Sequence, residues 1–107
     1  MKAIYQQRGE TIDFVNNTGE EIKANDVVTL TNRIGIAATD IPAGAKGAIH
    51  ITGVFKLPAD TTAAFTVGQT VYLSGDKVVE ASDGGVIAGF VVEPKTANGT
   101  IAVVKID

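Results

Sequence analysis

The chain contains no cysteine and no tryptophan, and it has only one histidine, one methionine and three prolines in 107 residues. Without cysteine there are no disulfides, thiolate metal sites or cysteine nucleophiles, so stability rests on packing or association. With His50 the single imidazole, a histidine-based metal site would need carboxylates to converge on it. No apolar run approaches the ~20 residues that a membrane helix needs. The opening Met1-Lys2-Ala3-Ile4-Tyr5-Gln6-Gln7-Arg8 lacks the apolar core of a secretory signal. These absences lead us to expect a soluble protein, made in the cytoplasm, with no membrane partner. Basic charge is scarce too. Nine Lys and Arg stand against twelve Asp and Glu, a net charge of −3. Nucleic-acid binding relies on cations that neutralise phosphates, and only Lys2 and Arg8 come near one another. Nucleic acid is therefore not an expected partner.

Chemistry is equally sparse. Ser74 and Ser82 are the only serines, and both sit beside glycine or aspartate in turn-like sequence, so no nucleophile pairs visibly with His50. His50 itself alternates against Ile49 and Ile51 and is expected at a surface or an interface. Glu20-Glu21 reads as a solvated pair. Asp40, Asp60, Asp76 and Asp83 all fall where aspartate accepts backbone hydrogen bonds in turns and caps. The oxygen-dense spacing of a calcium loop is missing, and no glycine run continues into a phosphate loop. The expectation is a protein that is not an enzyme, with no catalytic residue, metal or cofactor.

What the sequence does have is strands and turns. Hydrophobic residues make up 45%, dominated by Ala, Val and Ile, and twelve glycines are spread along the chain. Branched side chains suit a pleated surface, so the composition is all-β. The alternation predicts strands at Thr11–Val15, Asp26–Thr31, Ile34–Ala37, Thr70–Leu73, Lys77–Glu80, Val86–Val92 and Thr100–Ile106. Residues Gly47 to Pro58 read as one long strand, with Ile49, Ile51, Phe55 and Leu57 on a single face. Gly35 inside its strand implies a bulge or a close backbone approach. The apolar run Val86–Val92 implies burial on both faces, and that excess hints at a subunit interface. The stretch Asp60–Thr66 is ambiguous between a loop and one helical turn capped by Asp60. Turn signals fall at Asn16–Gly19, Asn32-Arg33, Ser74–Asp76, Asp83–Gly85 and Asn98-Gly99. The predicted architecture is one small all-β domain, residues 11–107, built as a β-barrel or β-sandwich. Residues 1–10 precede it as a polar arm, either frayed or ordered on a partner through Ile4 and Tyr5.

With strands placed in this order, nearly the whole chain resembles the small phage capsid cement, or head decoration, proteins. The matching elements are Tyr5-x-x-x-Gly9-Glu10-Thr11-Ile12, Ala24–Val28, Ile34–Ala37, Asp40–Gly47, Ile87–Val91 and Gly99–Val104. The most specific are Thr52-Gly53-Val54-Phe55-Lys56-Leu57-Pro58 and Gly68-Gln69-Thr70-Val71-Tyr72. One departure is Asn25, where the resemblance leads us to expect glycine; asparagine also tolerates positive φ. The resemblance implies a β-rich virion protein on the capsid exterior, commonly a homotrimer, that clamps neighbouring copies of the major capsid protein. It also implies that Ile4, Tyr5 and Gln6 of the arm contact the capsid or a neighbour. Ala38–Gly44 separately resembles the turn of SAF-type β-clip modules, which bind carbohydrate or partner proteins. Another phage structural β-domain, such as a tail component, is the remaining alternative.

Overall fold

The computed structural model describes residues 1–80 and 85–106. Nine strands appear among them: β1 (Thr11–Val15), β2 (Val27–Thr29), β3 (Ile34–Ala37), β4 (Lys46–His50) and β5 (Val54–Pro58), followed by β6 (Thr70–Ser74), β7 (Lys77–Val79), β8 (Val86–Val91) and β9 (Ile101–Lys105). They form two antiparallel sheets, ordered β1-β4-β3-β2 and β5-β9-β8-β6-β7. The sheets are not closed into a barrel. Of the two predicted all-β architectures, the sandwich is the one that forms. The main cluster lies between the sheets and joins Ile34 and Ile36 of one to Leu57, Val71, Val91 and Val104 of the other.

A second cluster lies on the far side of the four-stranded sheet, where Val28, Ala37 and Ile49 meet Ile22 and Ile41. Those last two come from loops, and they are tied by paired backbone bonds of 2.9 and 2.7 Å. Every residue of β3 is therefore buried: alternate side chains serve the two clusters. Gly35 is required here. A Cβ on it would stand 2.9 Å from Ile49 Cδ1, so the close approach read from the sequence is real.

The predicted long strand over Gly47–Pro58 is divided. β4 pairs with β1 and β3, whereas β5 pairs with β9 in the other sheet. Ile49 and Ile51 pack in the loop-covered cluster, and Phe55 and Leu57 pack in the main one, so the four do not share a face. The corner is Gly53, at φ +128°, a conformation that favours glycine. Its carbonyl accepts from Ile106 N–H at 3.0 Å, while Ile51 N–H donates to Glu10 C=O at 3.1 Å, fixing both sides of the bend.

Strand β8 also departs from expectation. Its inward residues Ala88, Gly89 and Val91 are buried, but Ile87 and Phe90 are exposed. The register explains it: Tyr72 faces Ile87 while Val71 faces Gly89, leaving one extra residue in β8. That bulge puts Ile87 and Phe90 on the same outer face despite their odd spacing. Asp60 caps a loop rather than a helical turn, accepting from Thr62 N–H at 3.1 Å and Thr62 hydroxyl at 2.9 Å. The predicted turn Asp83–Gly85, with Ser82, lies for the most part outside the described residues.

Candidate interaction surfaces

Among the described residues, His50 and Ser74 lie in different sheets. His50 is half-buried on β4 with its ring 6.0 Å from that of Phe55, and Ser74 ends β6 in the other sheet. Among the described residues no group of three or more His, Cys, Asp or Glu stands close enough to hold a metal. Asp40 and Asp60 do what turn aspartates do. Asp40 Oδ1 accepts from Ala24 N–H at 2.8 Å, and the Thr62 hydroxyl and N–H hold the Asp60 carboxyl below its ordinary range. A hydrogen bond from Lys23 to the Glu21 carboxylate, 2.7 Å away, raises the lysine; the charges of Glu21 and Asp40 add to it.

Two buried polar residues fasten loops and were not visible as such in the sequence. Asn16 is fully buried beyond β1. Its Nδ2 donates to Glu20 C=O at 2.7 Å and Ile41 C=O at 2.8 Å, and its Oδ1 accepts from Thr18 N–H and hydroxyl. Lys95 is 7% exposed, and its ammonium donates to the carbonyls of Ala63, Thr96 and Gly99 at 2.6, 2.9 and 3.1 Å. The Phe65 ring lies 4.8 Å from the same ammonium. Gly99 leaves the space that this side chain fills, since a Cβ there would meet Lys95 Cγ at 2.9 Å. A lysine following Glu93-Pro94 offers no periodic signal of burial, which is why sequence reading passes over it.

Among the described residues three surfaces are open to solvent and partly apolar. The first is the arm: residues 1–10 are all exposed, with Ile4 at 93% and Tyr5 at 79%. It is tethered near its end by Gln7 Nε2 donating to Thr11 C=O at 3.2 Å, an exposed Arg8–Glu10 ion pair and the Ile51 N–H bond to Glu10 C=O. Gln6 is exposed beside them. The second is the outer face of the five-stranded sheet. Val54 lies opposite Lys105, Lys105 opposite Phe90, and Pro58 opposite Ile101, so these side chains share one face. Val54, Ile87, Phe90 and Ile101 are between 37% and 55% exposed there, and Lys105 sits over the Phe90 ring at 5.8 Å.

The third is a groove of about 410 Å³ at the opening between the sheets, where the edge strand β2 faces the β6–β7 hairpin. Val27, Leu57 and Val78 are among its apolar lining residues, and Asp26 and Asp76 bring carboxylates. In the loop Asp40–Gly44 the side chain of Ile41 turns inward, while Asp40, Pro42, Ala43 and Gly44 are exposed. Ile41 is fully buried, and a Cβ on Gly47 would come 2.5 Å from it.

No curated protein and no solved structure gives a significant match to this chain. A family model described as phage cement protein matches residues 6–106, nearly the full length and every strand. Over an all-β sandwich, that match settles the family: this chain belongs to the phage cement proteins, structural components of the capsid.

Proposed function

We propose that the protein is made in the cytoplasm of a bacterial host and binds the outside of an assembled phage or prophage head. The observation that carries this reading is the family match over residues 6–106. The direct partner is the major capsid protein, and the protein acts there as a homotrimer. Residues 11–107 form the body, and residues 1–10 form the arm, with Ile4, Tyr5 and Gln6 touching the capsid or a neighbouring subunit. The work done is mechanical. A ligand that binds the closed lattice but not its separated parts adds its binding free energy to the shell, about 2.7 kcal/mol per site at 100-fold excess over Kd. Many sites acting together turn modest contacts into a large total.

The experiment is sedimentation of the protein with purified undecorated heads, followed by heating of bare and decorated heads. Saturable binding and a higher disruption temperature are expected. Heads that neither bind the protein nor gain heat resistance would overturn the reading.

A further inference from the structure

The arm and the groove fit one another. Strand β2 is paired on one side only. Asp26 C=O and Leu30 N–H both bond toward the β3 side, to Ala37 N–H and Arg33 C=O. Alternation in an antiparallel ladder then turns the backbone groups of Val27 and Thr29 outward, toward the groove they line. An extended segment entering there finds an open edge, an apolar floor and two carboxylates.

The arm supplies the complement. In an extended Lys2-Ala3-Ile4-Tyr5-Gln6, the side chains of Lys2, Ile4 and Gln6 point to one face. An apolar residue flanked by a cation and an amide matches an apolar floor flanked by Asp26 and Asp76, with Lys77 also in the lining. Charge agrees over the whole chain. The arm holds two of the nine cations and one of the twelve carboxylates, so it carries +1 and the body −4.

The arm of the same copy is badly placed. It leaves β1, at the opposite edge of the sheet from β2. Three strand spacings and one more beyond β2 come to about 19 Å. The five Cα steps from Thr11 to Gln6 reach at most ~18 Å, and the seven from Thr11 to Ile4 at most ~25 Å. Ile4 therefore reaches its own β2 only with the arm drawn almost straight across the sheet, and Gln6 stops short of it, so the segment cannot run along that edge as a strand.

We propose that the groove between β2 and the β6–β7 hairpin receives the N-terminal arm of a second copy of this chain, with Ile4 on the apolar floor and Lys2 beside Asp76. The arm adds as a strand to the edge of β2. The contact is heterologous, arm to groove, so repeating it closes a ring when the rotation between copies allows. This deepens the cement reading, and rests on it for the expectation that copies meet on a shell.

A chain without cysteine makes engineered thiols unambiguous. Copies carrying Ile4→Cys are mixed with copies carrying Thr29→Cys and mildly oxidised, both free and on heads. Ile4→Cys with Glu93→Cys is the control pair, because Glu93 is exposed and lines no part of the groove. Linked heterodimer should exceed the control by about tenfold, the effect of a raised local concentration. Asp76→Lys should reduce that yield, and adding Lys2→Glu to the arm-bearing copy should restore it. Equal yields for the two pairs, or no link in either condition, would overturn the proposal. So would an internal link in the double variant Ile4→Cys/Thr29→Cys that outcompetes linking between copies. Heads that bind normally with no link would sink the arm–groove contact alone. A clear link with no head binding would instead sink the cement reading.

Discussion

The two sheets have opposite outer faces. The four-stranded sheet is covered by its own loops, with Ile22 and Ile41 buried over Val28, Ala37 and Ile49, and Asn16 pinning the loop ends. Among the described residues the five-stranded sheet has no such cover, and Val54, Ile87, Phe90 and Ile101 stay in water. The chain spends its loop residues from Asn16 to Asp26 and from Ala38 to Ala45 finishing one face while leaving the other apolar. A contiguous apolar face on a small domain marks an interaction surface. One face is built for stability of the monomer, and the other is available for association.

The sharpest way to break that division is at the packing of the bare sheet itself. A Cβ on Gly89 would lie 2.0 Å from the carbonyl oxygen of Lys105, and Gly89 sits at φ +146°. Both the clash and the backbone conformation oppose any side chain. Gly89→Ala should lose roughly 3 kcal/mol or more, read as a drop in the denaturant midpoint, or fail to fold. A variant as stable as the parent would mean that β8 and β9 separate easily.

Next in size is the loop cover. Asn16→Ala removes two donors and an acceptor from a fully buried site, taking one of two donors from each of the Ile41 and Glu20 carbonyls and the acceptor from the Thr18 N–H. A hydrogen bond contributes about 0.5–1.5 kcal/mol and several are lost together, so a loss of ~2–4 kcal/mol is expected by chemical denaturation. Hydrogen exchange should quicken first at Ile22 and Ile41, the paired loop residues. Uniform loosening across both sheets would show instead that the cover is not a separate layer.

The bare face should answer differently. Ile87→Ser with Phe90→Ser changes exposed positions, so unfolding should shift by no more than about 1 kcal/mol. Association should suffer: native mass at high concentration, or occupancy on heads, is expected to fall. Equal occupancy with equal mass would remove the outer face from consideration and leave the arm and groove as the contacts.

Much of this division was readable in the residues. Period-two alternation placed most strands, and Asn32-Arg33 and Ser74–Asp76 marked their tight connections. The long strand through Gly53 misled because alternation continues unbroken across the corner; only long-range pairing with β1 and β9 reveals that two sheets claim its halves. Val86–Val92 misled for a related reason. An apolar run does not announce whether its second face meets the core or water. Asn16 and Lys95 were invisible as buried anchors, since their partners are backbone carbonyls that carry no residue-type signal. The groove depends on which strand is left at an edge, a property of topology and not of any local stretch.

The smallest expected effect lies where this chain departs from the pattern it resembles. Asn25 takes φ +74°, the only non-glycine among the described residues with positive φ, and its N–H donates to Ala37 C=O at 2.8 Å as the chain enters β2. Asparagine adopts this conformation more readily than other side-chain-bearing residues, and glycine adopts it freely. Asn25→Gly should therefore leave stability within about 0.5 kcal/mol of the parent, relief of strain being offset by a more flexible unfolded chain. Asn25→Val should lose roughly 1–2 kcal/mol, because a β-branched residue is strained at positive φ. The two variants also sharpen the groove, since Asn25 lines it at the start of β2. If Asn25→Gly keeps its fold but loses the arm cross-link, the side chain contributes to the contact. If both persist, its role is confined to the turn, and β2 presents its edge through backbone alone.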